Sequence, residues 1–108
     1  MTVEKTFDMQ PVLCVAAKCL MKDVSESEVD AVLEHMAGRP VDNIAISRLY
    51  DVYAPEIRRQ VLPKAPPPKR GSMGHEAYVE ALRVWRKELY RKMQRVTLRS
   101  APELLGSR

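Results

Sequence analysis

The chain has few of the residues that build large cores, membrane spans or disulfide scaffolds. Its 108 residues include one Phe, one Trp, four Gly and two Cys. The main apolar run begins at Val12 and is interrupted by Lys18, far short of the roughly 20 apolar residues that a membrane span needs. We therefore expect one small domain with a modest core. The N-terminal residues are mixed in charge, which is not the pattern of a signal peptide.

The cysteines indicate a reducing environment. Cys14 and Cys19 are five positions apart in a predicted helix. They would stand about 140° apart around its axis, too far for an unstrained disulfide. We interpret both as small apolar residues and expect an intracellular protein, in the cytoplasm or cytoskeleton, with organelles left open.

Catalytic and metal-binding patterns are missing. His35 and His75 fall in different segments, and neither stands beside a nucleophile motif. The two histidines and two cysteines lack zinc spacing, and the scattered glycines form no phosphate-binding loop. We predict that the protein is not an enzyme and uses no metal and no cofactor.

Charge divides the chain into two blocks. Residues 1–55 carry five basic and nine acidic side chains, a net charge of −4. Residues 56–108 carry thirteen basic and five acidic side chains, a net charge of +8. A basic half attracts acidic partners, but the two halves can also attract each other.

Apolar spacing predicts helices along most of the chain. The first runs from Pro11 to about Lys22. Ser25 and Glu28 form a capping box that starts the second, and Gly38 ends it. The alternation over residues 44–46 predicts a short extended piece. A third helix follows with Leu49, Tyr50, Val52 and Tyr53; Pro55 either ends it or begins a continuation to Leu62.

The C-terminal half reads as a spacer followed by a basic amphipathic helix. Residues 63–68 are Pro-rich and stiff, and residues 70–74 are flexible; residues 71–74 could also be a cloning junction. The helix is predicted from about His75 to Val96, before a short irregular tail. We therefore predict an all-α fold with a helical body at 1–62, a linker at 63–74, and the helix and tail at 75–108.

Residues 11–53 resemble one hand of the EF-hand superfamily, as in calmodulin or myosin light chains. The residues 25–30, Ser-Glu-Ser-Glu-Val-Asp, are similar to that family's helix start, and Ile44 takes the aliphatic eighth loop position. Calcium requires oxygen ligands at loop positions 1, 3, 5 and 12 and Gly at position 6. Here those positions hold Ala37, Arg39, Val41, Arg48 and Asp42. The resemblance thus implies a degenerate hand without calcium, which clasps helices in an apolar groove.

The sequence contains two other short motifs. Gly38 followed by residues 42–53 could form a helix-turn-helix, but Asp42 and Asp51 make a poor phosphate-facing surface. Residues 89–91, Leu-Tyr-Arg, match the short signature of the mitochondrial LYR proteins. That signature normally lies near the start of a three-helix bundle, whereas here little chain follows it.

These observations predict a calcium-independent, light-chain-like adaptor or structural subunit that docks helices within a larger protein assembly. Because the hand is incomplete, its groove needs a further helix, from residues 75–96 or from a partner. The predicted partner-binding residues are Tyr78, Leu82, Trp85, Leu89, Met93, Val32, Leu33, Met36, Leu49 and Val52.

Two alternatives stay open from the sequence. One is a small nucleic-acid-binding regulator that uses the basic helix over 75–99. Its contact residues would be Arg83, Lys87, Arg91, Arg95 and Arg99. The other is a protein inhibitor of a host or partner enzyme, which would resemble an adaptor in sequence.

Overall fold

The computed structural model describes residues 3–21, 23–62 and 66–106. Its elements are β1 (Glu4–Asp8), α1 (Met9–Ala16), α2 (Glu26–Ala37), α3 (Ile46–Val61), α4 (His75–Lys92), β2 (Arg95–Arg99) and a 3₁₀ turn (Pro102–Leu105). The protein is mostly helical, as predicted, but the all-α class is only partly right, because β1 and β2 form a two-stranded antiparallel sheet. Across the three described ranges, no helix has both the length and the apolar character needed to cross a membrane.

Helix α1 is the centre of the fold. Asp8 caps its N-terminus by accepting a hydrogen bond from the backbone N–H of Gln10 at 2.9 Å. Every residue of the helix except Gln10 is buried. A helix that is apolar on all sides must be surrounded by other elements. In this protein α2, α3, α4 and β1 all contact it.

The predicted first helix is too long, because the chain turns sharply after Ala16. Cys19 N–H donates to the carbonyl of Cys14 at 2.9 Å, and Lys18 N–H donates to that of Val15 at 3.1 Å. These two bonds form a Schellman motif, with Lys18 in the left-handed region at φ 57° where glycine is usual. The turn directs residues 19 and 20 away from the helix axis; residue 22 lies outside the described residues.

The predicted ends of α2 are confirmed. Ser25 Oγ accepts from the N–H of Glu28, whose carboxylate accepts in turn from the N–H of Ser25, both at 3.3 Å. At the other end Gly38 adopts φ 70°, a left-handed conformation that a side chain would strain. The buried residues of α2 are Val29, Val32, Leu33, Met36 and Ala37.

Helix α3 is continuous through Pro55. The proline removes one N–H donor from the helix interior without ending it. The predicted extended piece at 44–46 is wrong: Ile44 lies in a turn closed by its N–H to the carbonyl of Val41 at 3.0 Å, and Ile46 is the first residue of α3. Three residues are too few for alternation to distinguish a strand from a helix start.

The sheet was not predicted from either of its strands. β1 precedes the first predicted helix, in a segment for which no element was predicted. β2 begins within the predicted end of the last helix, so that α4 stops at Lys92 rather than Val96. In β2, Val96 and Leu98 are buried and alternate with exposed residues. The Thr6 and Thr97 hydroxyls lie 2.8 Å apart across the strands.

Residues after β2 are attached to the helices through their backbone. Tyr53 Oη donates to the carbonyl of Ala101 at 3.1 Å, and the N–H of Ala101 donates to the carbonyl of Met36 at 2.9 Å. The Gln60 amide bonds both backbone groups of Arg99, at 2.9 and 3.0 Å. The tail predicted as irregular is therefore a structural part of the domain up to residue 106; residues 107 and 108 lie outside the described residues.

The segment before α4 matches a spacer where it is described. Residues 66–74 form no helix or strand, and residues 63–65 of the predicted spacer lie outside the described residues. The division into body, linker and basic helix stays a prediction about organisation. In the structure α4 packs on α1, and β2 pairs with β1.

The left-handed residue at the end of α1 leads to a stability prediction. Lys18→Gly is expected to give a protein more stable than Lys18→Ala by about 1 kcal/mol, because only alanine retains the left-handed penalty of a Cβ atom. Both variants lose the Lys18–Asp51 ion pair, so the difference between their free energies of unfolding reports only the backbone conformation at residue 18. Urea unfolding of the two proteins measures this difference in stability. Equal unfolding midpoints would show that a Cβ atom carries no penalty at residue 18.

Candidate functional site: an apolar cleft with an acidic rim

An apolar cleft of about 320 Å³ opens where the end of α1 meets the first turns of α2 and α3. Its lining residues are Lys18, Cys19, Leu20, Glu26, Val29, Asp30, Ile46 and Tyr50. Val29 is buried and forms the floor, whereas Leu20 and Ile46 are 41% and 47% exposed on the two sides. Most of the exposed lining is therefore apolar surface facing solvent.

Local structure explains why these apolar side chains remain exposed. The Schellman turn at Lys18 takes Leu20 out of the helical path that buries Val12 to Ala16. Ile46 is in the first turn of α3, one residue after the N-cap Ala45, and the amphipathic face of that helix is buried only from Leu49 onward. Leu20 thus follows the buried part of α1, and Ile46 precedes the buried part of α3.

The rim of the cleft is acidic. Glu26 and Asp30 are one turn apart on α2 and lie on the same side of that helix. The Lys18 ammonium is 3.0 Å from a carboxylate oxygen of Asp51, so its charge is already matched. Among the described residues that line the cleft, the net charge is therefore negative.

Tyr50 supplies a polar group inside the apolar lining. Burial raises the pKa of its hydroxyl to about 12, and the nearby thiols and carboxylates add to the increase. The phenol is therefore neutral at physiological pH and can donate a hydrogen bond. Burial also raises the pKa of the Cys14 thiol, which keeps it protonated and unreactive.

The cleft has the features of a recognition site. One polar hydroxyl and two carboxylates surround an apolar floor, an arrangement that suits an inserted aliphatic side chain with a cation beside it. In the described ranges, no group of three or more His, Cys, Asp or Glu residues is placed to hold a metal ion. His35, discounted as a catalyst from the sequence, bonds the carbonyl of Leu98 through Nε2 at 2.8 Å and so connects α2 to β2.

The groove predicted from the sequence is not where the structure exposes apolar surface. Val32, Leu33, Met36 and Leu49 are inside the core, and Val52 is half-buried at its edge. A partner could reach the first four only by opening the core. α1 packs against both α2 and α3, so the chain itself covers the faces of these helices that were predicted to bind a partner.

The stripe predicted along the last helix packs on its own body. Leu82 is buried, and Tyr78, Trp85, Leu89 and Met93 are half-buried against the core. These side chains stabilise the monomer in this structure. Substitutions among them are therefore expected to change folding as well as any association.

The predicted nucleic-acid residues are largely matched by acidic partners. Arg83 and Arg91 make ion pairs with Glu80 and Glu88 at 2.7 and 2.9 Å. Arg95 and Arg99 lie directly opposite Asp8 and Glu4 across the sheet. Lys87 lines a separate polar pocket between α1 and α4. Of these acidic partners, only Asp8 and Glu4 come from the acidic half of the chain, so the two charge blocks meet at the sheet.

A loop over residues 38–45 joins α2 to α3. α2 ends at Ala37, α3 begins at Ile46, and Arg48, at the twelfth loop position, donates to the backbone carbonyl of Leu105 at 3.2 Å. That arginine therefore has a structural partner where a calcium loop would have a carboxylate.

The residues that make the cleft were missed as a site. Leu20 falls within the first helix predicted from Pro11 to about Lys22, and Ile46 within the extended piece predicted at 44–46. A signal was present in Ile46, an apolar residue in a polar first turn beside Ser47 and Arg48. Comparisons with protein-family models, with curated proteins and with solved structures find no match.

Proposed function

We propose that this protein is a calcium-independent adaptor that seats a partner's amphipathic helix in the apolar cleft. The observation that carries the proposal is the pairing of Leu20 and Ile46, both exposed, above the buried Val29. Exposed apolar side chains that converge on one cleft favour binding, whereas single scattered ones need no explanation. The EF-hand resemblance, which stays a prediction, agrees with helix binding because that family uses helix-in-groove recognition.

The charge of the rim specifies the partner further. Glu26 and Asp30 would pair with lysine or arginine side chains next to the partner's apolar anchor. The Tyr50 hydroxyl would donate a hydrogen bond to a polar group of the partner's helix. We therefore infer a partner helix with an aliphatic stripe and basic flanks.

The nucleic-acid alternative receives less support. Non-specific binding to a phosphate backbone depends on the number of unpaired cations. Arg83 and Arg91 are in ion pairs, and Arg95 and Arg99 face carboxylate-bearing residues. An enzyme inhibitor would use the same cleft as an adaptor and would differ only in what its partner does.

The adaptor proposal predicts a charge-selective peptide interaction. We expect the full chain to bind a labelled amphipathic peptide with a leucine stripe and lysine flanks more tightly than the same peptide with glutamate flanks, as measured by fluorescence anisotropy. Ile46→Arg should weaken binding of the lysine-flanked peptide about tenfold or more, because the substitution places a cation in the apolar cleft. Leu104→Arg, at a position of similar exposure (43%), is the matched control and should not.

Two results would contradict this proposal. Equal affinity for the two peptides would show that the acidic rim does not select the partner. If the Ile46→Arg protein binds the lysine-flanked peptide with unchanged affinity, the peptide binds outside the cleft. Tight binding of duplex DNA or RNA that falls steeply with added salt, lost on Lys87→Gln and not on Ile46→Arg, would favour the nucleic-acid alternative.

A further inference from the structure

Cys14 and Cys19 are joined by the backbone hydrogen bond that closes the end of α1. The N–H of Cys19 donates to the carbonyl of Cys14 at 2.9 Å. This bond is the longer one of the Schellman motif, and the side chains of the two residues that share it commonly contact each other. The separation of about 140° expected from the sequence applies only to a continuous helix. Here α1 ends at Ala16 and the chain turns back at Lys18, so the two cysteines come together.

The Cys14 sulfur faces the chain segment that returns after the turn. Its Sγ accepts a hydrogen bond from the backbone N–H of Met21 at 3.5 Å, two residues after Cys19. Residues whose backbones share an N–H···O bond typically have Cα atoms about 5–6 Å apart, within the ~4.4–6.8 Å that disulfides span. Both thiols also lie near the Tyr50 hydroxyl, since each contributes to its raised pKa. A bond between the two sulfurs therefore needs little movement of the backbone.

The two thiols differ in exposure. Both cysteines are free in the structure; Cys19 is half-buried and lines the apolar cleft, whereas Cys14 is fully buried. A dissolved oxidant therefore reaches Cys19 first, and Cys14 reacts only with what is held against it. One accessible thiol beside a protected second thiol is the arrangement that lets an oxidised cysteine be resolved as a disulfide.

We infer that Cys14 and Cys19 form an intramolecular disulfide when the protein meets a small-molecule disulfide such as oxidised glutathione. The Cys19 thiolate attacks one glutathione sulfur, which releases one glutathione thiolate and leaves a mixed disulfide on Cys19. Cys14 then attacks the Cys19 sulfur, and the second glutathione leaves with the proton of the Cys14 thiol. The cysteines lose two electrons and two protons in total, and the glutathione disulfide gains both.

The disulfide would alter the wall of the apolar cleft. Cys19 is part of the lining, next to Leu20. A bond to Cys14 draws the Cys19 sulfur toward α1 and fixes the turn that carries Leu20. This consequence, unlike the disulfide itself, rests on the proposed function. We expect the lysine-flanked peptide to bind the oxidised protein several-fold more weakly than the reduced protein.

Equilibration of the full chain with oxidised glutathione tests the disulfide. After acid quenching and alkylation of free thiols, intact-mass spectrometry should show a monomer that has lost two hydrogen atoms and carries no alkyl group. Cys14→Ala keeps the accessible thiol and should stop at the mixed disulfide with glutathione. Cys19→Ser keeps only the buried thiol and should remain unmodified by glutathione while folded.

Three results overturn the disulfide: a wild type that keeps both thiols, one that accumulates the mixed disulfide as Cys14→Ala does, or one that crosslinks two chains instead. The effect on the cleft is measured by titrating the lysine-flanked peptide into reduced and oxidised wild type, with Cys19→Ser as the control whose affinity should not respond to the oxidant. Equal affinities of the two wild-type forms overturn the regulation of the cleft. Because mass spectrometry involves no peptide, failure of the disulfide and failure of the adaptor proposal are seen separately.

Discussion

Removal of residues 95–108 is expected to abolish cooperative folding. The deletion takes away four buried apolar residues, Val96, Leu98, Ala101 and Leu105. It also leaves β1 without a partner strand and removes the acceptors of the Tyr53 hydroxyl and the Gln60 amide. A small domain is stable by only about 5–15 kcal/mol, and losses on this scale exceed that margin.

Circular dichroism during thermal unfolding measures this outcome. The truncated chain should give a shallow or absent transition. Point substitutions identify the residues responsible. Leu98→Ala should lower the free energy of unfolding by about 2–5 kcal/mol, because Leu98 is fully buried. Leu104→Ala, at an exposed position, should lower it by less than about 1 kcal/mol. A truncated protein that melts as sharply as the full chain would support the irregular tail predicted from the sequence.

The second large effect is expected at the centre of α1. Leu13→Ala should lower the free energy of unfolding by about 2–5 kcal/mol. Leu13 is fully buried in a helix that α2, α3 and α4 surround, so the cavity left by three lost carbon atoms has little room to collapse. Chemical denaturation followed by far-ultraviolet circular dichroism gives the value.

Leu20→Ala is the matched control for this substitution. It makes the same chemical change four residues after Ala16, the last residue of α1, but on the exposed side of the cleft. We expect a loss of stability below about 1 kcal/mol together with weaker peptide binding. If both substitutions destabilise the protein equally, Leu20 belongs to the core, and the cleft is closed in solution.

The helices could be predicted from the sequence because their signals are local. Ser25, Glu28 and Gly38 define both ends of α2 within a few residues of each other. The apolar stripe of α4 likewise repeats along one helix. The end of α1 was missed because Lys18 occupies a left-handed position that sequence normally marks with glycine.

The sheet and the cleft depend on contacts that no local pattern contains. Thr6 pairs with Thr97, 91 residues away, and five-residue strands of mixed polarity give little signal by themselves. Leu20 looks like an ordinary core residue in sequence, and Ile46 differs only in standing beside the polar residues Ser47 and Arg48. Their exposure follows from the way three helices meet, and this geometry appears only when the whole chain is assembled.

The pairing of β1 with β2 has a consequence for synthesis in the cell. During translation, β2 is synthesised roughly 5–20 s after β1 at typical elongation rates, because a long stretch of chain separates the two paired strands. Until then the surface that will receive Val96 and Leu98 lies open. Chaperones that shield apolar segments during translation would therefore act on the helices until β2 has emerged.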